Sequence, residues 1–146
     1  MNNSGKIFNK IDDIIVTCES DTRKIEKKLK LVGKSINYDE IPDNIRLYID
    51  EVLKESNLIK ELKIIKNDKN KGFLDNKSID ELRNIGAKAN EVSKKFQLAY
   101  FKDSKFLEYL KENNIDKHSK FEEIYIITFD YFQKIGELLT FTENLY

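Results

Sequence analysis

The chain has 146 residues with 26 basic and 26 acidic side chains, so its formal net charge is zero and it carries no global attraction for nucleic acid. Charged residues make up 36% and hydrophobic ones 40%, which excludes a disordered chain and fits one domain around one core. With 5 Gly and 1 Pro, turn residues are too scarce for an all-β fold, and a few long helices are favoured.

The first segment, about Ser4 to Glu19, sets Ile7, Phe8, Ile11, Ile14, Ile15 and Cys18 at three- and four-residue steps, the spacing of one helical face. Ser20 and Asp21 are good cap residues and predict a break and restart there. The helix that follows carries Ile25, Leu29, Val32 and Ile36 on its stripe and Arg23, Lys24, Lys27, Lys28 and Lys30 on the other face. That basic face reads first as solvated, with Glu19, Asp21 and Glu26 to neutralise it, and second as a polyanion contact.

Asn37 to Pro42 is a connector, since proline disfavours helix at Ile41, and Asp43 is placed to cap the next helix. Ile45, Ile49, Val52 and Leu53 mark that helix to about Glu55. Ser56 and Asn57 interrupt it before a short segment with Leu58, Ile59, Leu62 and Ile65 on its stripe. Asn67 to Lys77 is the most polar stretch and reads as a surface loop, with Phe73 and Leu74 tucked back onto the core.

Ser78 to Tyr100 is the clearest helix. Ser78 and Glu81 form a capping box, and Ile79, Leu82, Ile85, Ala89, Val92, Phe96 and Ala99 make an unbroken stripe. Gly86 and Ala89 put small residues on or beside that stripe, which permits a neighbouring helix to approach closely. A short helix starts at Lys102-Asp103-Ser104, carries Phe106, Leu107 and Leu110, and ends at Asn113 and Asn114. The last helix opens at a second capping box, Ser119 to Glu122, and runs to about Phe141 with Phe121, Ile124, Ile127, Thr128, Tyr131, Ile135 and Leu138 on its stripe. Glu143 to Tyr146 reads ENLY, the start of a protease site used to remove purification tags. Residues 142–146 are therefore expected to be a tag remnant and 1–141 a single domain. These elements predict an all-α, up-and-down four-helix bundle with one or two additional short helices.

Chemistry-bearing patterns are scarce. Cys18 is the only cysteine, so no intrachain disulfide forms, which suits a cytoplasmic location; its place in an apolar stripe predicts a buried, inert thiol. With one Cys and one His, His118, far apart, no Cys/His zinc site is expected, and His118 reads as an exposed loop residue. Asp12–Asp13 and Glu122–Glu123 are adjacent pairs whose side chains diverge around a helix, which argues against paired-carboxylate catalysis. No glycine-rich phosphate loop, signal peptide or membrane-length apolar run is present. No cofactor, metal site or small-molecule substrate is expected.

Within the clearest helix, Leu82-Arg83-Asn84-Ile85-Gly86-Ala87-Lys88-Ala89 follows an earlier Tyr48-Ile49-Asp50-Glu51-Val52-Leu53 with Leu58-Ile59. This order resembles the HEPN-like helical domains found at the N-terminus of type I restriction enzyme motor subunits and in other prokaryotic defence proteins. The resemblance runs from about Asp21 to Val92, with about eight specific positions. It implies a helical bundle that dimerises or docks onto a nucleic-acid enzyme. Active HEPN ribonucleases resemble one another in an Arg, a polar residue and a His a few residues on, brought together across a dimer. Arg83-Asn84 resembles the start of that motif, but Asn90 and Glu91 stand where the His is expected. Neither replaces imidazole as a near-neutral proton shuttle. The link from Phe101 to Lys117 is also longer than the family's.

The expected function is thus a non-catalytic HEPN-like interaction module in a prokaryotic defence or restriction-modification setting, with a homodimer or another protein as partner. Arg83, Asn84 and Lys88 are the anchor candidates on one helix, and Arg23, Lys27 and Lys30 on another. Arg83 reads first as a surface arginine paired with Asp80 or another acid, and second as an anchor. The alternatives are an RNA- or DNA-binding helical domain, with Lys94 and Lys95 joining the phosphate contacts, or a small phage or mobile-element protein that inhibits a host enzyme by surface contact.

Overall fold

The computed structural model describes residues 3–32, 41–68, 75–113 and 115–144. Six helices lie there: α1 (Asn3–Val32), α2 (Asp43–Leu53), α3 (Asn57–Asp68), α4 (Asn76–Lys102), α5 (Ser104–Asn113) and α6 (Ile115–Glu143). They form an all-α, up-and-down bundle, with no strand among the described residues. The directions follow from cross-helix pairs. Lys10 meets Glu137 and Lys28 meets Glu123, so α1 and α6 run antiparallel. Gly86 abuts Leu139 while Tyr100 stacks on Phe121 and Tyr125, so α4 and α6 are antiparallel too. Lys63 reaches Glu19 and Lys66 reaches Asp12, which sets α3 against α1 in the same sense. Both α2 and α3 touch α1 and α4, and together they make the fourth column. Helix α5 closes one end, where Phe106 meets Phe121 edge-on at 5.0 Å.

That fourth column is kinked. The Lys54 amide donates to the Asp50 carbonyl at 3.0 Å, and Glu55 takes the left-handed conformation with φ 65° that ends many helices, usually at glycine. Ser56 restarts the chain. Its hydroxyl accepts from the Leu58 amide at 3.2 Å, and its carbonyl accepts from the Ile59 and Lys60 amides. Ser56 is buried, and its own amide donates to the Tyr131 hydroxyl at 3.1 Å. The break expected at Ser56 and Asn57 thus has a full hydrogen-bond account.

The break expected at Ser20 and Asp21 does not occur. Helix α1 runs through it for 30 residues. Ile14, Cys18, Asp21 and Ile25 are all buried, so one stripe continues in register across the cap-like pair and tertiary burial overrides the local preference. Asp21 is therefore a buried helix-interior carboxylate rather than a cap. Burial, ahead of the nearby Asp130 charge and against the pull of Lys24 and Lys134, raises its pKa.

Other helix starts shift by a few residues. Helix α4 begins at Asn76 with Asp75 as its cap, accepting from the Ser78 amide at 2.8 Å, while Ser78 itself is buried. Pro42, not Asp43, holds the cap position of α2, and Asp43 instead pairs with Arg46 one turn on. Helix α6 begins at Ile115, ahead of the expected start at Ser119, which places position 118 within a helix rather than a loop. It also continues past Phe141, with Thr142 buried and its hydroxyl donating to the Leu138 carbonyl at 2.7 Å. Asp103 caps α5, accepting from the Phe106 amide at 3.0 Å. Phe73 and Leu74 lie outside the described residues.

The expected stripes form the core. Ile7, Ile11, Ile14, Ile45, Ile49, Leu62, Leu82, Ala89, Phe96, Phe121, Ile124, Ile135 and Leu138 are each at most 1% exposed. The tightest approach is between α4 and α6. A Cβ added at Gly86 would sit 2.5 Å from the Leu139 backbone nitrogen and 3.1 Å from Leu138, so main chain packs where a side chain would be. Next along this seam the Asn90 amide donates to the Gly136 carbonyl at 3.4 Å, and the Gln133 amide donates to the Ser93 hydroxyl at 2.8 Å.

Two predictions follow the packing. Gly86→Ala forces the two backbones apart and costs about 1–3 kcal/mol in urea unfolding. Gly5→Ala on α1 meets nothing within 4 Å and stabilises by about 0.5–1 kcal/mol through helix propensity, so the two glycines respond with opposite sign. Asp21→Asn removes a charge whose burial cost is absent in acid, appears as pH rises past the ordinary Asp range and is complete above the raised folded pKa. Its stabilisation is accordingly larger at pH 7 than at pH 3, read from midpoint shifts at the two pH values.

Candidate functional site

Helix α4 presents its buried face to α6 and α2, and an exposed stripe to solvent. That stripe steps by four and three residues through Lys77, Glu81, Asn84, Lys88, Glu91, Lys95 and Leu98, all exposed. Beside it, between α3 and α4, lies a groove of about 310 Å³ lined by Glu61, Ile64, Ile65, Glu81, Asn84, Ile85 and Lys88. Its wall is apolar because Ile64 is 58% exposed, while the adjacent Ile65 faces the core. Asn84 and Lys88 thus sit at the rim of an apolar groove. Arg83, the residue before Asn84, is half-buried, and its guanidinium lies 3.7 Å from Asp80 one turn back. The pairing that the sequence offers as the plain reading of Arg83 is present.

The residues standing where a catalytic His is expected have structural work within the chain. Asn90 is half-buried and bonded to α6, and Glu91 is exposed and pairs with Lys95 at 3.0 Å. Asp12 and Asp13 diverge as expected. Asp12 pairs with Lys66 on α3, and Asp13 pairs with Lys134 on α6 at 2.7 Å. Cys18 is buried and its thiol donates to the Tyr131 carbonyl at 3.7 Å. Burial raises the thiol's pKa, which makes it a poor nucleophile. Among the described residues no group of three His, Cys, Asp or Glu side chains is placed to hold a metal ion, and no helix is long and apolar enough to cross a membrane.

The second set of candidates stands apart from the first. Arg23, Lys27 and Lys30 are exposed on α1, and among the described residues Lys28 is the one member of that basic face with an ion pair, to Glu123 at 2.8 Å. Glu123 and Leu138, the latter touching Gly86, mark the levels of the two sets along α6. The stretch from 123 to 138 spans about 22 Å. Arg83, Asn84 and Lys88 therefore belong to one end of the bundle and Lys27 and Lys30 to the other, with Arg23 between them near the level of Tyr131.

Ile64, Glu61 and Glu81 are groove residues that sequence reasoning missed. A signal existed for Ile64. Two adjacent isoleucines on one helix lie about 100° apart, and the stripe of Leu58, Leu62 and Ile65 claims only the second.

A distinct feature is an aromatic cluster at the far end of α4. Tyr100 stacks on Tyr125 at 4.1 Å and is 2% exposed. Its hydroxyl has no hydrogen-bond partner among the described residues. Burial, with smaller contributions from Glu122 and Tyr125, pushes its pKa up to about 12. A phenol whose folded pKa lies above the unfolded value near 10 adds stability below pH 10 that is lost as pH rises toward 12.

Compared with known proteins, the chain matches no family model, no curated protein and no solved structure.

Tyr100→Phe deletes the unpaired hydroxyl and keeps the ring. This variant is expected to be at least as stable as the parent at pH 8, and to lose about 1–3 kcal/mol less between pH 10 and 12. Chemical denaturation at stepped pH measures both effects.

Proposed function

We propose that this chain is a non-catalytic, HEPN-like interaction module of a prokaryotic defence or restriction-modification system, working in the cytoplasm, and that it acts by pairing with a second copy of itself through the exposed stripe of α4. The observation that carries the self-pairing is a charge pattern. Lys77, Glu81, Asn84, Lys88 and Glu91 read plus, minus, neutral, plus, minus. Reversed end to end, the pattern reads minus, plus, neutral, minus, plus. An antiparallel copy centred on Asn84 therefore sets Lys77 against Glu91 and Glu81 against Lys88, each twice by symmetry. The three- and four-residue steps of the stripe are those of a helix–helix seam. Ile64 supplies exposed apolar surface beside it. Within the chain, Lys77, Glu81 and Lys88 have no ion-pair partner among the described residues, so these charges are available for a contact. In support of the non-catalytic reading, Asn90 is engaged with the Gly136 carbonyl instead of offering a proton shuttle.

The nucleic-acid reading has in its favour that Arg23, Lys27 and Lys30 are exposed and without ion-pair partners among the described residues. Against a single phosphate track, Lys88, Lys94 and Lys95 lie on α4, across the bundle from α1.

The self-pairing is tested by charge exchange. Sedimentation velocity over a concentration series is expected to show a dimer that weakens with salt. Glu81→Lys should raise its Kd about tenfold, since both symmetry-related contacts turn repulsive. Glu81→Lys with Lys88→Glu restores opposite charges and should recover most of the loss. A monomer at every concentration, or a double variant as weak as the single one, overturns the self-pairing.

A further inference from the structure

Where the fourth column kinks, a second cavity opens on the α1 side of the bundle, away from the α4 stripe. It measures about 250 Å³ and is lined by Cys18, Glu19, Thr22, Arg23, Leu53, Lys54, Glu55, Ile59 and Tyr131. Its two acids and two bases balance formally, and Lys63, which bridges both carboxylates from beside it, leaves one positive charge in excess. Glu19 and Glu55 are both engaged by Lys63, at 3.2 Å for Glu19 and in close contact for Glu55. Arg23 and Lys54 have no ion-pair partner among the described residues. The deep wall is Tyr131, only 1% exposed, whose hydroxyl accepts from the Ser56 amide at 3.1 Å. The proton of that hydroxyl has no acceptor among the described residues. Leu53 and Ile59 make the rest of the wall apolar. Glu55 holds its left-handed backbone on this rim, the kind of local strain that recurs at ligand sites.

We infer that this cavity is a binding site for a small organic oxyanion, a carboxylate or a phosphate monoester on a short apolar body. Arg23 and Lys54 neutralise the charge, Arg23 with a planar fork suited to two oxygens. The Tyr131 hydroxyl donates to the inner oxygen, and Leu53 and Ile59 cover the apolar part. Lys63 offsets part of the charge of the two carboxylates. The occupied cavity ties α1 to the α2–α3 kink, so binding fixes the break in the fourth column. This site is independent of the self-pairing surface, and either stands if the other falls.

The test is a nitrogen–proton correlation NMR titration of the full chain with butyrate and, separately, inorganic phosphate, at constant ionic strength set by sodium chloride. The expected result is saturable movement of the Thr22, Glu55 and Ser56 amides with at least one probe, and the probe that saturates first distinguishes carboxylate from phosphate chemistry. Arg23→Gln with Lys54→Gln should weaken that binding at least about tenfold while the rest of the spectrum is unchanged, because neither cation has an ion-pair partner among the described residues. Shifts that never saturate, shifts that chloride alone reproduces, or full affinity in the double variant would each overturn the site.

Discussion

The bundle depends on the contact between α4 and α6 at Gly86. There the two backbones meet with no side chain between them, and the meeting sets the depth and register of every pair further along the seam. Asn90 then reaches the Gly136 carbonyl, Ser93 meets Gln133, and Tyr100 stacks on Tyr125. With that register in place, α6 also offers a second side to α1, where Cys18 bonds the Tyr131 carbonyl and Asp13 pairs with Lys134. Tyr131 in turn holds the buried amide of Ser56. A hydrogen bond from the central helix thus stabilises the kink in the opposite column. The close approach reaches the far side of the molecule through α6.

Much of this was legible because helical burial leaves a periodic trace. The stripes of α1, α3, α4 and α6 stand in the chain as spaced apolar residues, and Gly86 announces a close neighbour without saying which. The departures share one physical cause: local cap chemistry competes with burial that the chain alone does not display. Ser20–Asp21 has the composition of a break, yet Cys18 and Ile25 are both buried on one continuous face. Ser78 has the composition of a cap, yet it lies one turn inside the helix that Asp75 caps. On α6 the stripe understated the core. Tyr125 and Phe132 are buried as well, because this helix packs against α1, α4 and α5 and has little face left for solvent.

The surface was harder to read. Asn84 and Lys88 were legible as candidates, but the groove they border exists only because α3 brings Ile64 alongside. A contact between distant segments has no local signature. The sign-inverting order of charges on α4 is written in the sequence, yet it acquires meaning only once positions 77 to 91 are known to share an exposed face. The cavity at the kink is less visible still. It gathers residues from α1, the α2–α3 junction and α6, and its unbalanced charge emerges only when Lys63 is seen to occupy both carboxylates.

The two glycines of the central seam differ in what faces them. A side chain at 86 collides with main chain, whereas one at 136 collides with the Asn90 side chain, which can swing away. Inheritance constrains the two sites unequally. Descendants of this chain can trade residues 90 and 136 as a couple, each excusing the other, and drift across that half of the seam. Position 86 has no such accomplice, because any side chain there meets main chain that only a parting of the two helices can clear.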